Sequence, residues 1–229
     1  MRKFPASPKL NRAIEKIEVR VEIVIACEGL VTEPDYLRKC ITYYGAGMVR
    51  LRVMEERGVP ITLVRLAIAE REKLLVKYRK YRDLSSIHSC FKVWVIFDKD
   101  EHEVNEALAL AAKHKIEVAF SNPCFELWPV LHLCQYGSQD GRHALQRLLS
   151  DCMPSYDHES DPRVDFDAIK DNFDIAYKRA VTLNRAREAE GCVGGCPSTT
   201  VGDLVLKIRQ NGRVSERRIS ANKKGIKDE

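Results

Sequence analysis

The segment Phe91-Lys92-Val93-Trp94-Val95-Ile96-Phe97 is the strongest prediction of a β-strand in this chain, and it runs directly into Asp98-Lys99-Asp100. A short run of β-branched and aromatic residues is typical of a buried strand. If the chain stays extended past Phe97, the two-residue spacing points the carboxylates of Asp98 and Asp100 to the same side. The segment therefore predicts a central strand that ends in an acidic pair.

Strands and helices alternate on both sides of this segment. Val21–Ala26 is a second short apolar run, and it also ends beside an acid, Glu28. The remaining elements predicted up to about residue 136 are helices over 34–44, 61–82 and 104–114, strands over 48–54 and 117–120, and a helix that opens at Ser121-Asn122-Pro123. Such alternation is typical of an α/β fold, a mostly parallel sheet with helices on both faces.

The pattern changes after Gly137, where helical stretches are predicted near 142–150, 166–190 and 201–208. We therefore expect four segments along the chain. They are a basic N-terminal arm over residues 1–18, an α/β catalytic domain over 19–136, a C-terminal helical extension over 137–210 and a basic tail over 211–229.

Composition narrows the class of protein. Of 229 residues, 45% are hydrophobic and 31% charged, as in a globular protein with a substantial core. The sequence has no apolar run of the ~18–20 residues that a membrane span needs, and residues 1–6 lack the apolar stretch of a secretory signal. These features predict a cytoplasmic protein that does not bind membranes. In that setting the eight cysteines are expected to be reduced thiols, with a zinc site at Cys192 and Cys196 as the less favoured alternative.

Charge is concentrated at the two ends of the sequence. Residues 1–20 hold six Lys or Arg against two acids, and residues 207–229 hold eight against three, so the body between them is mildly acidic. This distribution suits an enzyme whose carboxylates hold a metal while its periphery contacts phosphate, although solvated tails give the same pattern.

Acidic residues follow three predicted strands. Glu28 ends the first strand, Asp98 and Asp100 end the central strand, and Glu126 lies just past the strand that ends at Phe120. In an open parallel sheet the carboxyl ends of the strands collect ligands. Converging carboxylates repel one another unless a cation lies between them, and all-oxygen ligation favours Mg2+ or Mn2+. The sequence therefore predicts a divalent-metal site suited to cleaving a phosphodiester bond.

Several motifs resemble those of the RloB-like family, which is associated with bacterial restriction and abortive-infection loci and has AbiL-type relatives. They are Cys27-Glu28-Gly29, Thr32-Glu33 with Tyr36, Phe97-Asp98-Lys99-Asp100, Ser121-Asn122-Pro123-Cys124-Phe125-Glu126-Leu127-Trp128 with Leu131-His132, and Pro197-Ser198-Thr199-Thr200-Val201. The last motif has Cys196 where the family pattern suggests asparagine. The resemblance covers about residues 20–210.

The resemblance implies a Toprim-like catalytic domain, the module shared by topoisomerases, primases and overcoming-lysogeny-defect nucleases. It implies that Glu28 is a general acid/base or a metal ligand and that Asp98 and Asp100 bind metal. It further implies a nuclease that works in anti-phage defence with a partner ATPase of the ABC or AAA15 type. The sequence has no phosphate-binding loop of its own.

Three more residues are secondary site candidates, each with an ordinary structural alternative. Glu33 could be a further metal ligand, or part of a helix start at Thr32-Glu33-Pro34. His132 could act at the site, or pack among apolar neighbours on a helix. Lys178 could supply the cation that a nuclease transition state needs, or belong to a solvated helix face.

Two other functions remain open on the same fold. One is primase-like nucleotidyl transfer, and the other is a non-catalytic regulatory or sensor subunit that binds the partner ATPase. The sequence does not distinguish RNA, such as tRNA, from DNA as the bound nucleic acid, and it leaves open a homo-oligomer.

Overall fold

A computed structural model describes residues 21–79, 90–99 and 104–212. The predicted N-terminal arm over residues 1–18, most of the predicted tail over 211–229, and Asp100 lie outside these ranges. The division of the chain into four segments therefore stays a prediction.

A five-stranded sheet forms the centre of the molecule, in the order β2-β1-β3-β4-β5. Its strands are β1 (Val21–Cys27), β2 (Val49–Val53), β3 (Phe91–Asp98), β4 (Glu117–Asn122) and β5 (Ser198–Thr199). The first four strands run parallel, and β5 pairs antiparallel with β4. The apolar segment that ends in Asp98 is thus central in the sheet, as predicted.

Helices cover both faces of this sheet. Their bounds are α1 (Thr32–Tyr44), α2 (Pro60–Lys77), α3 (Asn105–His114), α4 (Leu127–Leu133), α5 (Arg142–Cys152), α6 (Phe166–Ile169), a 3-10 turn (Lys170–Asn172), α7 (Phe173–Ala189) and α8 over residues 201–212. The predicted helix over 166–190 is therefore broken by the 3-10 turn.

Strand β1 separates two apolar cores because its side chains alternate between the faces of the sheet. Ile23 and Ile25 belong to the core that includes α1, α4 and the helices that follow α4. Val24 and Ala26 belong to the opposite core, which includes α2 and α3. The predicted α/β class with a mostly parallel sheet, helices on both faces and a C-terminal helical part is confirmed, and the arrangement is consistent with a Toprim-like fold.

The segment around Ser121 differs from its prediction. Ser121 and Asn122 end β4 instead of opening a helix, and α4 begins only at Leu127. The reason is β5, which sequence patterning did not predict. Ser121 Oγ lies 2.8 Å from Thr199 Oγ1, and Asn122 Nδ2 donates to the Gly194 carbonyl at 2.9 Å. These contacts keep the end of β4 extended.

The eight cysteines are all free thiols in this structure. Within the three described ranges, no helix is both long enough and apolar enough to cross a membrane.

Substitutions on α2 test the core on the face of the sheet that α2 covers. Leu63 is fully buried and Val76 is 71% exposed on the same helix. We expect Leu63→Ala to lower the free energy of unfolding by about 2–5 kcal/mol because it leaves a cavity. Val76→Ala should change it by no more than about 0.5 kcal/mol. Urea denaturation measures both values, and equal losses would contradict this packing.

Candidate active site

Glu28 and Asp98 meet where β1 and β3 end side by side. The Glu28 amide donates to the Ile96 carbonyl at 3.1 Å, which continues the pairing of the two strands past Cys27. The Asp98 amide in turn lies 3.4 Å from Glu28 Oε2, within donor distance. The parallel sheet therefore brings together two acids that are 70 residues apart in sequence.

Asp98 has the most unusual environment of the described acids. Its Oδ1 atom is buried and has no hydrogen-bond partner within the described chain, whereas Oδ2 lies 3.3 Å from Arg142 Nη2. Burial raises the pKa of Asp98 well above its ordinary value, and the nearby charges of Glu33 and Glu126 raise it further. The Arg142 guanidinium opposes this rise.

Glu33 lies beside this pair, in the first turn of α1. It is a buried acid, and its Oε1 accepts a hydrogen bond from the Gly29 amide at 3.3 Å. Burial raises its pKa, as do the charges of Glu126 and Glu28. A Cβ atom at position 29 would lie 2.0 Å from Glu33 Oε2, so Gly29 leaves the space that this carboxylate occupies.

Glu126 is buried just before α4, and the C-terminal helical part holds it in place. Its Oε1 accepts from Tyr156 Oη at 2.7 Å and lies 3.3 Å from His158 Nδ1. Gln146 of α5 adds a longer contact to the same oxygen, at 3.5 Å. Because all three contacts converge on one atom, the orientation of the Glu126 carboxylate is fixed from outside the sheet.

These residues fit a hard divalent cation by chemistry. Every donor is a carboxylate oxygen, and Asp98 presents an oxygen that is buried without a donor among the described residues. Within the three described ranges, no three His, Cys, Asp or Glu side chains form a group that could hold a metal. Mg2+, however, is typically held by only one or two carboxylates together with water and substrate phosphate. Glu28 and Asp98 meet that requirement.

Two of the predicted site residues lie apart from these acids. His132 is buried on α4, where its Nδ1 donates to the Trp128 carbonyl at 2.9 Å, and burial lowers its pKa to about 4. Lys178 is exposed on α7 and lines a separate groove with Gln135 and Thr182. The structure therefore brings Glu28, Glu33, Asp98 and Glu126 together and leaves His132 and Lys178 outside. Asp100 lies outside the described residues.

Four residues around the acids were not predicted from the sequence: Arg142, Gln146, Tyr156 and His158. All four lie in the C-terminal part, 20 to 44 residues from the acids they contact. Tyr156 and His158 flank an aspartate in a loop, a polar grouping that could have been noted as a candidate. The sequence around Arg142 and Gln146 contains no motif that would mark either of them as a site residue.

Comparison with known proteins identifies a family for this chain. The family model described as RloB-like protein matches residues 23–208, which is most of the chain. No curated protein and no solved structure matches the chain.

The raised pKa of Asp98 predicts how stability depends on pH in the absence of metal. The unfolded carboxyl ionises near its ordinary pKa of about 3.9, whereas the folded one holds its proton to higher pH. As pH rises between these two values, the folded state binds more protons than the unfolded state, so stability falls. We expect Asp98→Asn to remove this loss, giving a gain over the wild type that grows as the pH rises above about 4 and exceeds about 1 kcal/mol.

Urea denaturation of both proteins in EDTA across this pH range measures the difference. Parallel pH profiles for the two proteins would show that Asp98 is not the group responsible. Adding Mg2+ should restore wild-type stability at the upper end of the range, because a ligand that binds only the folded state stabilises it.

Proposed function

The chain belongs to the RloB-like family, and we propose that it is a Mg2+-dependent endonuclease that cleaves phosphodiester bonds in nucleic acid. The observation that carries this proposal is the buried Oδ1 of Asp98, which has no donor among the described residues and lies in a group of acids that includes Glu28. Carboxylates are costly to bury together unless a cation balances them. A nuclease can use such a cation to activate water and to neutralise charge on the leaving oxygen.

Glu28 and Asp98, with Asp100, would hold the ion, Mg2+ or Mn2+. When bound, the ion supplies a nucleophile from water and neutralises charge that develops on the leaving oxygen. Glu126 would have a different role from the residues that hold the ion. Because Tyr156 and His158 fix its carboxylate, it is suited to orienting the attacking water beside the phosphate.

The proposed setting is anti-phage defence, as an effector paired with an ATPase of the ABC or AAA15 type. Support comes from the family. Residues 1–229 contain no phosphate-binding loop of the Gly-x4-Gly-Lys-Ser/Thr kind, so this proposal assigns ATP hydrolysis to the partner. The basic stretches over residues 1–20 and 207–229 suit contact with RNA, such as tRNA, or with DNA. We propose that the partner ATPase controls when the nuclease cuts.

Cleavage by the purified protein tests the catalytic proposal. End-labelled tRNA, other RNA and DNA are incubated with Mg2+, Mn2+ or EDTA. We expect cleavage only with metal, and a loss of ~10²–10³-fold in Asp98→Asn, because a bound ion contributes several kcal/mol to the transition state. Asp151→Asn, the same change at an exposed position on α5, should cleave like the wild type. Metal-independent cutting, or cutting that survives Asp98→Asn, would contradict the proposal.

Expression in cells with and without a partner ATPase of the ABC or AAA15 type tests the biological setting. We expect growth arrest and a discrete set of nucleic-acid fragments that require Asp98 and are controlled by the ATPase. If the wild type and Asp98→Asn behave alike and neither yields fragments, a binding role on the ATPase replaces catalysis. Incorporation of labelled nucleotides into product would instead indicate primase-like transfer.

A further inference from the structure

We propose that Arg142 is a catalytic residue of this site and that its guanidinium contacts the scissile phosphate. This inference rests on the proposed nuclease function, and it adds a residue of the C-terminal part to the site at the edge of the sheet. The guanidinium lies beside Asp98, with 3.3 Å between Nη2 and Oδ2.

The guanidinium is more accessible than the carboxylate that it contacts. The Arg142 side chain is 39% exposed, whereas that of Asp98 is 17% exposed. A phosphate that binds beside Asp98 would therefore have an accessible guanidinium close by. At 3.3 Å the ion pair is longer than a tight charge-assisted hydrogen bond of about 2.7–2.9 Å.

The backbone of Arg142 is held firmly even though its side chain reaches into the site. Arg142 is the first residue of α5, and Leu145 and Leu149 on the next turns of that helix are fully buried. Only the side chain must move between Asp98 and a phosphate. Anchoring of this kind limits the entropy lost when a cation is positioned for reaction.

Arginine suits the task better than lysine would. Its guanidinium presents five donors in a planar fork, so it can contact a carboxylate and a phosphate oxygen at the same time. Its positive charge also persists throughout the reaction. Arg142 can therefore stabilise the extra negative charge on the phosphate without exchanging a proton.

Other cations in the described part of the chain are less well placed. Arg179 donates through Nη1 to the Leu131 carbonyl at 2.7 Å. Lys178 lines the groove that Arg179 also lines, apart from the acids. Lys99 follows Asp98 directly, but its Nζ lies near Gly194, in the loop before β5. Arg142 is the cation that the structure pairs with Asp98.

In the proposed step, the oxygen of a water molecule forms a new bond to phosphorus. The bond from phosphorus to the leaving ribose or deoxyribose oxygen breaks, and that oxygen departs with the bonding electron pair. One proton of the water is released to solvent, and the leaving oxygen takes up a proton from solvent. Arg142 contacts a non-bridging oxygen throughout and keeps all of its protons.

The test compares Arg142→Ala, Arg142→Lys and Arg147→Ala in the full chain, with the same nucleic-acid cleavage assay. Arg147 is exposed on the same helix and serves as the matched control. We expect Arg142→Ala to lose ~10²–10³-fold in cleavage rate, the effect of removing one preorganised donor to a transition state. Arg142→Lys should lose less, and Arg147→Ala should cleave like the wild type. Mn2+ binding, followed by electron paramagnetic resonance, should persist in all three.

Chemical rescue separates a catalytic role from a structural one. Millimolar guanidinium should restore part of the activity of Arg142→Ala in a saturable manner, whereas the same concentration of urea, which is neutral and similar in shape, should not. Wild-type cleavage by Arg142→Ala would overturn the proposal. So would lost Mn2+ binding together with no rescue, since Arg142 would then only hold Asp98 in place. If no cleavage were seen even for the wild type with Mg2+ or Mn2+, or if Asp98→Asn also cleaved normally, the proposed metal-dependent nuclease site itself would fail instead.

Discussion

Repulsion between carboxylates buried at one edge of the sheet is the constraint on which the rest of the site depends. Glu28, Glu33, Asp98 and Glu126 are close enough that the charges of the other three raise the pKa of Asp98. Burial of such a group costs free energy unless donors or cations compensate for it. The Gly29 amide, the Tyr156 hydroxyl and the Arg142 guanidinium provide part of that compensation. The remaining imbalance is what makes the edge a natural place for a divalent cation.

The packing of the C-terminal part explains how the compensating groups reach the acids. It contributes to the same apolar core as α1 and one face of β1, so its position relative to the strand ends is fixed by close packing. From there Tyr156 and His158 reach Glu126, and Arg142 reaches Asp98. The sheet thus supplies most of the acids, and the helices that follow it supply donors and positive charge. In structural terms the site is shared between the two.

Sequence patterning was sufficient for the four parallel strands and for the acids that follow them. Runs such as Phe91–Phe97 indicate strands locally, and parallel strands must then bring Glu28 and Asp98 to one edge. Arg142 could not be found in this way, because its contact with Asp98 spans 44 residues and depends on how α5 packs. Strand β5 has only two residues, which is too few to show any periodicity. Because β5 was not predicted, the extension of β4 to Asn122 was not predicted either. His132 sits in a distinctive motif, yet packing against Trp128 accounts for its place.

Strand β5 also affects how the molecule can meet its own copies. By pairing with Ser121 and Asn122, it covers the end of β4 with residues from the same chain. On the opposite side, β2 pairs only with β1 within the described chain, so its outer backbone groups could accept a strand from another molecule. On this edge strand Arg52 is paired with Glu22 and Glu70, whereas Arg50 is exposed. Like charges repel when two such edges approach each other. Edge-to-edge aggregation is therefore opposed by a short covering strand at the end of β4 and by the positive charge of Arg50 on β2.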